Sequence, residues 1–434
     1  MMGKLRFSDL FSRVLRYKRY LFNLSASFLS QIVAGISILL LTPILLRSLG
    51  ENSFGIYGIL LNIIALSSVF DFGLNIGLLR KLIHEKEGIG YLINTVFFFY
   101  ILLFLLAIPA FYFLYRFDIL KSDEQYFLTA FFTALIVAQN MLAVFFDVMI
   151  QSTNKIFVGK IIRIGKTVIE FFVLYLLSSF GSLKWILLGT AGVNFLYLIV
   201  LSQYARREVK YKLSFLWIKW KVLMGHIRYS FWYFQSTISS VLVYNAQIVL
   251  IGAMVAPASV SRYFMVMRFF EMIRMGMGNF TIVLLPSLSM LQASAAWHQL
   301  KQMFVRVLRR VTLLVVFAIA AILTIGESIF IYWSKYNDAE TLGLFRWYTI
   351  LIGLLLIENV AVVFLAAFKF NKLPSIVGII QGVLGLLLTW LMVPVWGIAG
   401  AVMGSVIALL CTNFLFNPIY LFLKMKRFVH QVTD

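Results

Sequence analysis

Three ionisable residues lie close together inside one of the apolar parts of the sequence: Arg268, Glu271 and Arg274. Their spacing places all three on one face of a helix, where neighbouring charges can pair. A guanidinium forms two parallel hydrogen bonds with a phosphate or a carboxylate. We therefore expect Arg268 and Arg274 to bind a diphosphate or an acidic sugar, with Glu271 positioning them. The alternative is a self-neutralised ion-pair network that only stabilises the structure.

A second charged set, Arg163, Lys166 and Glu170, also shares one helix face. Arg163 and Lys166 are candidates for binding the same anionic substrate, and Glu170 is a candidate for ion coupling or gating. Long basic side chains near the end of a membrane helix also extend towards the lipid headgroups. The sequence leaves both interpretations open for this set.

Three further acids stand alone in apolar surroundings. Glu358 lies in the middle of the stretch 351–368, where the neutral form of a carboxyl is favoured, so it could carry a coupling proton. Asp71 either binds a coupling ion or has a structural role at the cytoplasmic gate, and the structural role is the preferred interpretation. Asp147 is predicted to be a gate or interfacial group near the inner end of its helix.

Most Trp and Tyr residues lie at the ends of the apolar runs, which is typical of interfacial belts. Trp232, Tyr233 and Tyr244 lie within a run and are the candidates for stacking on sugar rings. The four His residues have no metal-ligand spacing, and the chain has no P-loop. We therefore expect no metal, no cofactor and no catalytic constellation.

The elements that position these residues are long apolar segments. Hydrophobic residues make up 62% of the 434 positions and charged residues only 13%. A helix that crosses the hydrocarbon core needs about 20 apolar residues, and several uncharged runs reach or exceed that length. Solid apolar runs without alternation favour helices over barrel strands. The sequence predicts an all-α polytopic membrane protein with about twelve transmembrane helices.

The Lys and Arg residues give the topology. Most of the 38 fall into alternate loops, so the positive-inside rule predicts an even number of spans and a cytoplasmic location for both termini. The same rule accounts for the net charge of +21 through contacts with an anionic leaflet, so no nucleic-acid partner is expected. Residues 1–20 combine basic and apolar side chains and are predicted to form an interfacial amphipathic segment.

Short motifs recur in the two halves of the chain in the same order. The segment ending in Tyr57 is similar to the one ending in Tyr263, and the loops 151–155 and 368–372 match, as do the segments beginning at Gly181 and Gly397. The repeats predict two six-helix lobes in parallel orientation, residues 21–204 and 229–434, joined by a cytoplasmic linker, 205–228. Such a duplication is typical of transporters that alternate access between two lobes.

The motifs also carry a family resemblance. Leu49-Gly-Glu-Asn-Ser-Phe-Gly-Ile-Tyr57, followed by Asp71-Phe-Gly-Leu74 and Arg80, resembles the polysaccharide exporters, as do the segments 285–289 and 397–401. These are the Wzx-type O-antigen flippases of the multidrug/oligosaccharidyl-lipid/polysaccharide transporter superfamily. The resemblance implies a flippase of the bacterial inner membrane. It would move undecaprenyl-diphosphate-linked oligosaccharide to the periplasmic leaflet, alongside a polysaccharide polymerase and glycosyltransferases of the same pathway.

Two other functions compete with this one. A cation-coupled drug exporter of the same superfamily would require an acid-dominated cavity, and the Arg268/Arg274 pair argues against it. A membrane-embedded enzyme of the polysaccharide pathway would be expected to have a long outer loop with catalytic residues, which the sequence does not contain. The sequence favours the transporter interpretation and does not identify the sugars or the coupling ion.

Overall fold

The computed structural model is built from helices throughout the residues that it describes. These residues are 7–84, 88–116, 126–209, 211–294, 296–368, 370 and 372–433. The predicted interfacial segment 1–20 falls partly outside this set, since the first helix begins at Phe7. Positions 369 and 371 of the predicted repeat loop also lie outside it. The expected all-α class is confirmed for the described part of the chain.

The described residues of the N-terminal half form six α-helices and one short 3-10 turn. Helix α1 is interrupted at Gly50, whose φ of 75° lies in the left-handed region that favours glycine. The 3-10 turn Ser67–Asp71 separates α1 from α2. The helices are α1 (Phe7–Leu66), α2 (Leu74–His84), α3 (Ile89–Arg116), α4 (Tyr126–Ser152), α5 (Ile156–Ser178) and α6 (Leu183–Val209).

In the C-terminal half, the part of the chain that the structure describes forms eight α-helices, several of which are broken or bent. A π-helical turn, Ile322–Gly326, lies between α10 and α11, and α13 has non-helical backbone at Trp396 and Gly397. The helices are α7 (Trp220–Tyr244), α8 (Ala246–Met254), α9 (Pro257–Ala293), α10 (Trp297–Ala321), α11 (Glu327–Ser334), α12 (Ala339–Ala367), α13 (Lys372–Cys411) and α14 (Asn413–Thr433).

Within the described ranges, seven helical segments are long and apolar enough to cross a membrane, or eight if α7 and α8, bent by 42°, form one span. Two of them, Phe22–Asp71 and Lys372–Lys426, have 50 and 55 residues. A helix of that length measures about 75 Å, against about 30 Å of hydrocarbon, so each is long enough for two crossings. Helices α5 and α9, which carry charged residues, are not among these segments. The multi-span architecture is established, and the number twelve and the side of the termini stay predictions.

The two halves pack together along α1 and α9. A Cβ atom at Gly55 would lie 1.9 Å from the carbonyl oxygen of Pro257, and one at Gly58 would lie 2.7 Å from the ring of Phe264. The absence of side chains at these glycines is therefore what allows the backbones to approach. Phe264 packs on Phe54 with ring centroids 5.3 Å apart. This interface brings the two halves into contact on one side of the molecule.

The linker between the halves is bound to the N-terminal half. The side chain of Asn94 on α3 donates to the carbonyl oxygen of Lys212 at 2.9 Å and accepts from the backbone N–H of Ser214 at 2.6 Å. Thr95 accepts from the backbone N–H of Lys219 at 3.2 Å, and the ring of Trp217 packs over Gly90. Because these bonds hold the main chain itself, α7 begins at a position fixed relative to α3.

Candidate functional site

A cavity of about 1290 Å³ lies between the two halves. Helix α7 contributes half of the lining residues, with side chains spaced three or four residues apart along one face. The lining residues are Ala65, Ser68, Ile76 and Arg80 from the N-terminal half, and Arg228, Tyr229, Trp232, Tyr233, Ser236, Thr237, Ser240, Val241, Asn245, Arg274, Ala366 and Lys372 from the C-terminal half. The volume is sufficient for a large polar headgroup.

The lining of this cavity is cationic. It includes Arg80, Arg228, Arg274 and Lys372, and no Asp or Glu is among the described residues that line it. Three of the cations, Arg80, Lys372 and Arg274, lie over aromatic rings of α7. The guanidinium carbon of Arg80 is 4.7 Å from the centre of the Tyr233 ring. The cavity therefore offers positive charge to a ligand from both halves of the protein.

The second stacked pair is Lys372 and Trp232, with the ammonium nitrogen 3.8 Å from the ring centre. Trp232 and Tyr233, both predicted to contact sugar, therefore line the cavity and also hold its cations. A cation held over an aromatic face gains about 0.5–1 kcal/mol and keeps its charge available to a third group. These pairs fix where the positive charges lie before a ligand binds.

Arg274 connects the predicted charged set on α9 to the cavity. It forms an ion pair with Glu271, whose side chain is buried, and its guanidinium lies 5.4 Å from the centre of the Tyr244 ring. Tyr244 lines two smaller pockets beside the cavity. Arg274 is therefore in contact with both Glu271 and Tyr244. It forms an ion pair and also lines the cavity.

Arg268 is directed elsewhere. Its guanidinium carbon lies 4.6 Å from the centre of the Phe264 ring. Tyr57 lies close enough to Arg268 and to Glu170 to interact electrostatically with both. Arg268 therefore lies near α1 and α5 of the N-terminal half, and it is not among the residues that line the 1290 Å³ cavity.

The charged residues of α4 and α5 pair within the N-terminal half. Arg163 donates to Asp147 at 2.9 Å, and Lys166 lies 2.8 Å from Glu170. Gln151 also donates to Asp147, at 3.1 Å. These residues belong to the N-terminal half, and none of them lines the described cavity.

Asp71 lies at the start of α2. Its carboxylate accepts from the backbone N–H of Asn75 at 3.3 Å and from the side-chain amide of Asn75 at 2.8 Å. The hydroxyl of Tyr100 also donates to it. A carboxylate that accepts from the first turn of a helix satisfies its free N–H groups. The geometry is that of a helix cap bonded to α3.

Glu358 lies in a separate pocket of about 270 Å³ between α7, α12, α13 and α14. The side-chain amide of Asn417 donates to its carboxylate at 2.6 Å. The side-chain oxygens of Gln381, Asn413 and Asn417 are buried and have no hydrogen-bond partner, and all three residues line this pocket. One carboxylate and three free amide oxygens are the oxygen ligands that hard cations favour.

No group of three or more His, Cys, Asp or Glu residues lies together among the described residues. The pocket around Glu358 therefore relies on neutral amides. It shares Ser236, Ser240 and Ala366 with the large cavity, so the two spaces adjoin along the same stretch of α7. Helix α7 ends at Tyr244, next to this shared wall, and the chain bends by 42° into α8.

Four charged or aromatic lining residues were not predicted from the sequence as site residues: Arg80, Arg228, Tyr229 and Lys372. The three cations were assigned to the basic edge that the positive-inside rule explains, and Tyr229 was not singled out. A usable signal was present in the spacing, because Tyr229, Trp232, Tyr233 and the serines at 236 and 240 form one polar and aromatic face of a helix.

The whole chain is similar to solved transporter structures. The lipid II flippase MurJ in an inward closed conformation aligns with a TM-score of 0.74 and 17% identity, over 95% of this chain and 93% of the flippase. The MATE multidrug transporter DinF-BH in complex with R6G aligns with a TM-score of 0.67 and 15% identity, over 93% and 95% of the two chains.

An inward-facing MATE family multidrug resistance transporter of the MOP superfamily aligns with a TM-score of 0.65 and 14% identity, over 94% of this chain and 99% of the transporter. No family model and no curated protein matches the sequence. At these identities the similarity establishes the fold alone. The chain therefore has the fold of the MOP superfamily transporters.

Proposed function

We propose that this chain is a flippase that moves undecaprenyl-diphosphate-linked oligosaccharide from the cytoplasmic to the periplasmic leaflet by alternating access. The observation that carries the proposal is the large cavity between the halves, lined by four cations and, among its described residues, by no carboxylate. A diphosphate is an anion that arginine binds with two parallel hydrogen bonds. The similarity of the fold to a lipid II flippase supports the proposal.

The cavity suits a ligand with two chemically different parts. Arg80, Arg228 and Lys372 would bind the diphosphate, and Trp232 and Tyr229 offer aromatic faces for sugar rings. The polyprenyl chain would stay in lipid, since transferring it into a polar cavity would cost about 0.8 kcal/mol per methylene. Because the cations come from both halves, the bound headgroup would draw the halves together around itself.

The Glu358 pocket supports coupling to a cation. A proton or Na⁺ bound among Glu358, Gln381 and the amides of α14 would satisfy the unpaired oxygens there. Its occupancy would act on α7 through the shared wall at Ser236 and Ser240. In vesicles, collapse of the proton or sodium gradient should then stop flipping, and unchanged flipping would show transport driven by the substrate gradient alone.

The same pocket favours a second candidate function, that of a cation-coupled drug exporter. The similarity of the fold to a MATE multidrug transporter also supports this candidate. The two candidates differ in the charge of the cargo. Exported drugs of a cation-coupled carrier are commonly cationic, and Arg80, Arg228 and Lys372 would repel them. The cavity therefore favours the flippase.

The test is reconstitution of the purified protein in liposomes with a fluorescent undecaprenyl-diphosphate-linked oligosaccharide. Transfer between leaflets is measured by the access of a membrane-impermeant quencher, and a cationic dye is offered in parallel. Protein-dependent transfer of the lipid-linked sugar without dye uptake supports the flippase. Dye transport without sugar transfer refutes it in favour of the exporter. In the cell, we propose that the protein lies in the bacterial inner membrane and acts together with glycosyltransferases and a polymerase of the same pathway.

A further inference from the structure

A proline in α1 leaves one backbone carbonyl without its helical partner. In an α-helix the carbonyl of residue 39 accepts from the N–H of residue 43, and Pro43 has no N–H. Within a membrane an unpaired carbonyl is costly because no water is present to replace the missing donor. The carbonyl oxygen of Leu39 therefore requires a donor from outside α1.

That donor comes from the other half of the protein. The indole N–H of Trp333, on α11, donates to the carbonyl oxygen of Leu39 at 2.7 Å. The Trp333 ring packs against Phe269 of α9 and Phe330 of α11, with centroid distances of 5.6 and 6.2 Å. The indole is thus held by the C-terminal half while its N–H bonds to the N-terminal half.

The surrounding interface is closed. Ser261 is fully buried where α9 packs on Gly55. Tyr336, in the loop after α11, lies 3.3 Å from the Ser261 hydroxyl and close enough to Glu51 to interact with it. Burial has the largest effect on the Tyr336 hydroxyl and raises its pKa to about 12. The hydrogen bond to Ser261 acts in the opposite direction and lowers the pKa by less. Its hydroxyl is therefore neutral at physiological pH.

We propose that the hydrogen bond from Trp333 to the Leu39 carbonyl stabilises the closed state of the outer interface between the halves. This inference rests on the proposed alternating access, in which α1 and α11 separate on the predicted outer side. The bond forms only while they are in contact. When they separate, Pro43 prevents the Leu39 carbonyl from bonding within its own helix, so opening leaves that oxygen unpaired until water reaches it.

The proposal assigns Pro43 and Trp333 to one function, and this can be tested by combining substitutions at the two positions. Trp333→Phe keeps an aromatic ring and removes the donor. Pro43→Ala returns an N–H to the helix and gives the Leu39 carbonyl a partner that survives opening. The loss of the Trp333 donor should therefore matter more in the protein that retains Pro43 than in the Pro43→Ala variant.

The experiment measures opening through the buried Ser261. In a Cys411→Ser background, Ser261→Cys is labelled with a membrane-impermeant maleimide added to intact cells, and the rate is compared among variants. Trp333→Phe should raise the rate about 3- to 10-fold, the effect of one interhelical hydrogen bond in a membrane protein. In the Pro43→Ala background the same substitution should change the rate by less than about twofold.

Trp390→Phe is the matched control, since Trp390 is 58% exposed and its ring should not affect the interface. A wild-type labelling rate in Trp333→Phe overturns the proposal. An equal effect of Trp333→Phe with and without Pro43→Ala also overturns it, because the Leu39 carbonyl would then not be the partner. Labelling needs no substrate, so its outcome is independent of the liposome assay. Failure of sugar transfer in liposomes would refute the flippase function without changing the labelling rates.

Discussion

Removing one cation from the cavity should weaken substrate binding by about the free energy of one charged hydrogen bond, roughly 1.5–3 kcal/mol. The two best-defined cations, Arg80 and Lys372, come from different halves of the protein and each lies over a ring of α7. A phosphate oxygen about 4 Å from such a cation gains about 4 kcal/mol at an effective dielectric constant of about 20. Lost hydration reduces this to the net value of a charged hydrogen bond, about 1.5–3 kcal/mol.

We therefore expect Arg80→Gln and Lys372→Gln each to weaken binding of the lipid-linked oligosaccharide by about 10- to 150-fold. Binding is measured in detergent by the change in fluorescence of a labelled substrate, and flipping is measured in liposomes. Arg80→Lys should have a smaller effect, because it keeps the charge and loses only the second parallel hydrogen bond.

Lys335→Gln provides the matched control. Lys335 also lies over an aromatic ring, 4.3 Å from the centre of Tyr332, but it is in the loop after α11 and does not line the cavity. The Lys335→Gln variant should bind substrate as the unchanged protein does. If Arg80→Gln and Lys372→Gln bind with unchanged affinity, or if Lys335→Gln weakens binding equally, the assignment of this cavity to the diphosphate is refuted.

Three other predictions follow from the described contacts. Glu358→Gln should abolish the dependence of flipping on an ion gradient. Substrate affinity should change by less than about threefold, because Glu358 lies outside the substrate cavity. Retained gradient dependence would contradict this prediction. Asn94→Ala should remove two hydrogen bonds to the linker and speed its cleavage in limited proteolysis, at a cost of about 1–3 kcal/mol in stability; an unchanged cleavage rate would show that the linker is held by other contacts. Gly55→Ala should lower the unfolding temperature of the protein in detergent, because its Cβ has no space beside Pro257. Gly192→Ala should not lower it, because a Cβ there meets nothing within 4 Å. Equal unfolding temperatures of the two variants would contradict the close packing of α1 on α9.

The positions of the helices could be predicted from the sequence because lipid imposes one simple condition. Apolar runs must be long enough to cross, and charges end them. Two apolar runs that are bounded by charged residues form helix α3, Ile89–Arg116, and most of helix α6, Leu183–Val209. The sequence did not indicate that consecutive spans could belong to one nearly continuous helix. Within the 60 residues of α1, the helical backbone is interrupted at Gly50 alone.

The site could be predicted only in part, for a different physical reason. Trp232, Tyr233 and Arg274 were recognisable because aromatic and charged residues are unusual inside apolar runs. Arg80, Arg228 and Lys372 were not, because a basic residue at the cytoplasmic edge satisfies the positive-inside rule whether it faces headgroups or a cavity. The direction of such a side chain depends on helix packing, which the sequence does not state.

The neutral amides were the hardest part to foresee. Gln381, Asn413 and Asn417 carry no charge and lie on two helices far from Glu358 in sequence, so no spacing rule connects them. Only the folded structure shows that these three residues, each with an unpaired oxygen, line the same pocket as the Glu358 carboxylate. Asparagine and glutamine in a membrane helix often bond to a neighbouring helix, and this is their ordinary interpretation.

Helix α7 links the cavity to the Glu358 pocket because it is bound to both halves. Its first part packs on α2, where a Cβ at Gly73 would lie 2.8 Å from the carbonyl oxygen of Ser230. Its second part packs on α13, where a Cβ at Gly378 would lie 2.0 Å from the Ser239 hydroxyl. Helix α7 therefore packs closely against each half at a different point along its length. Ser236, which lies between these two contacts, lines both the cavity and the Glu358 pocket, so α7 is the element through which occupancy of one space would reach the other.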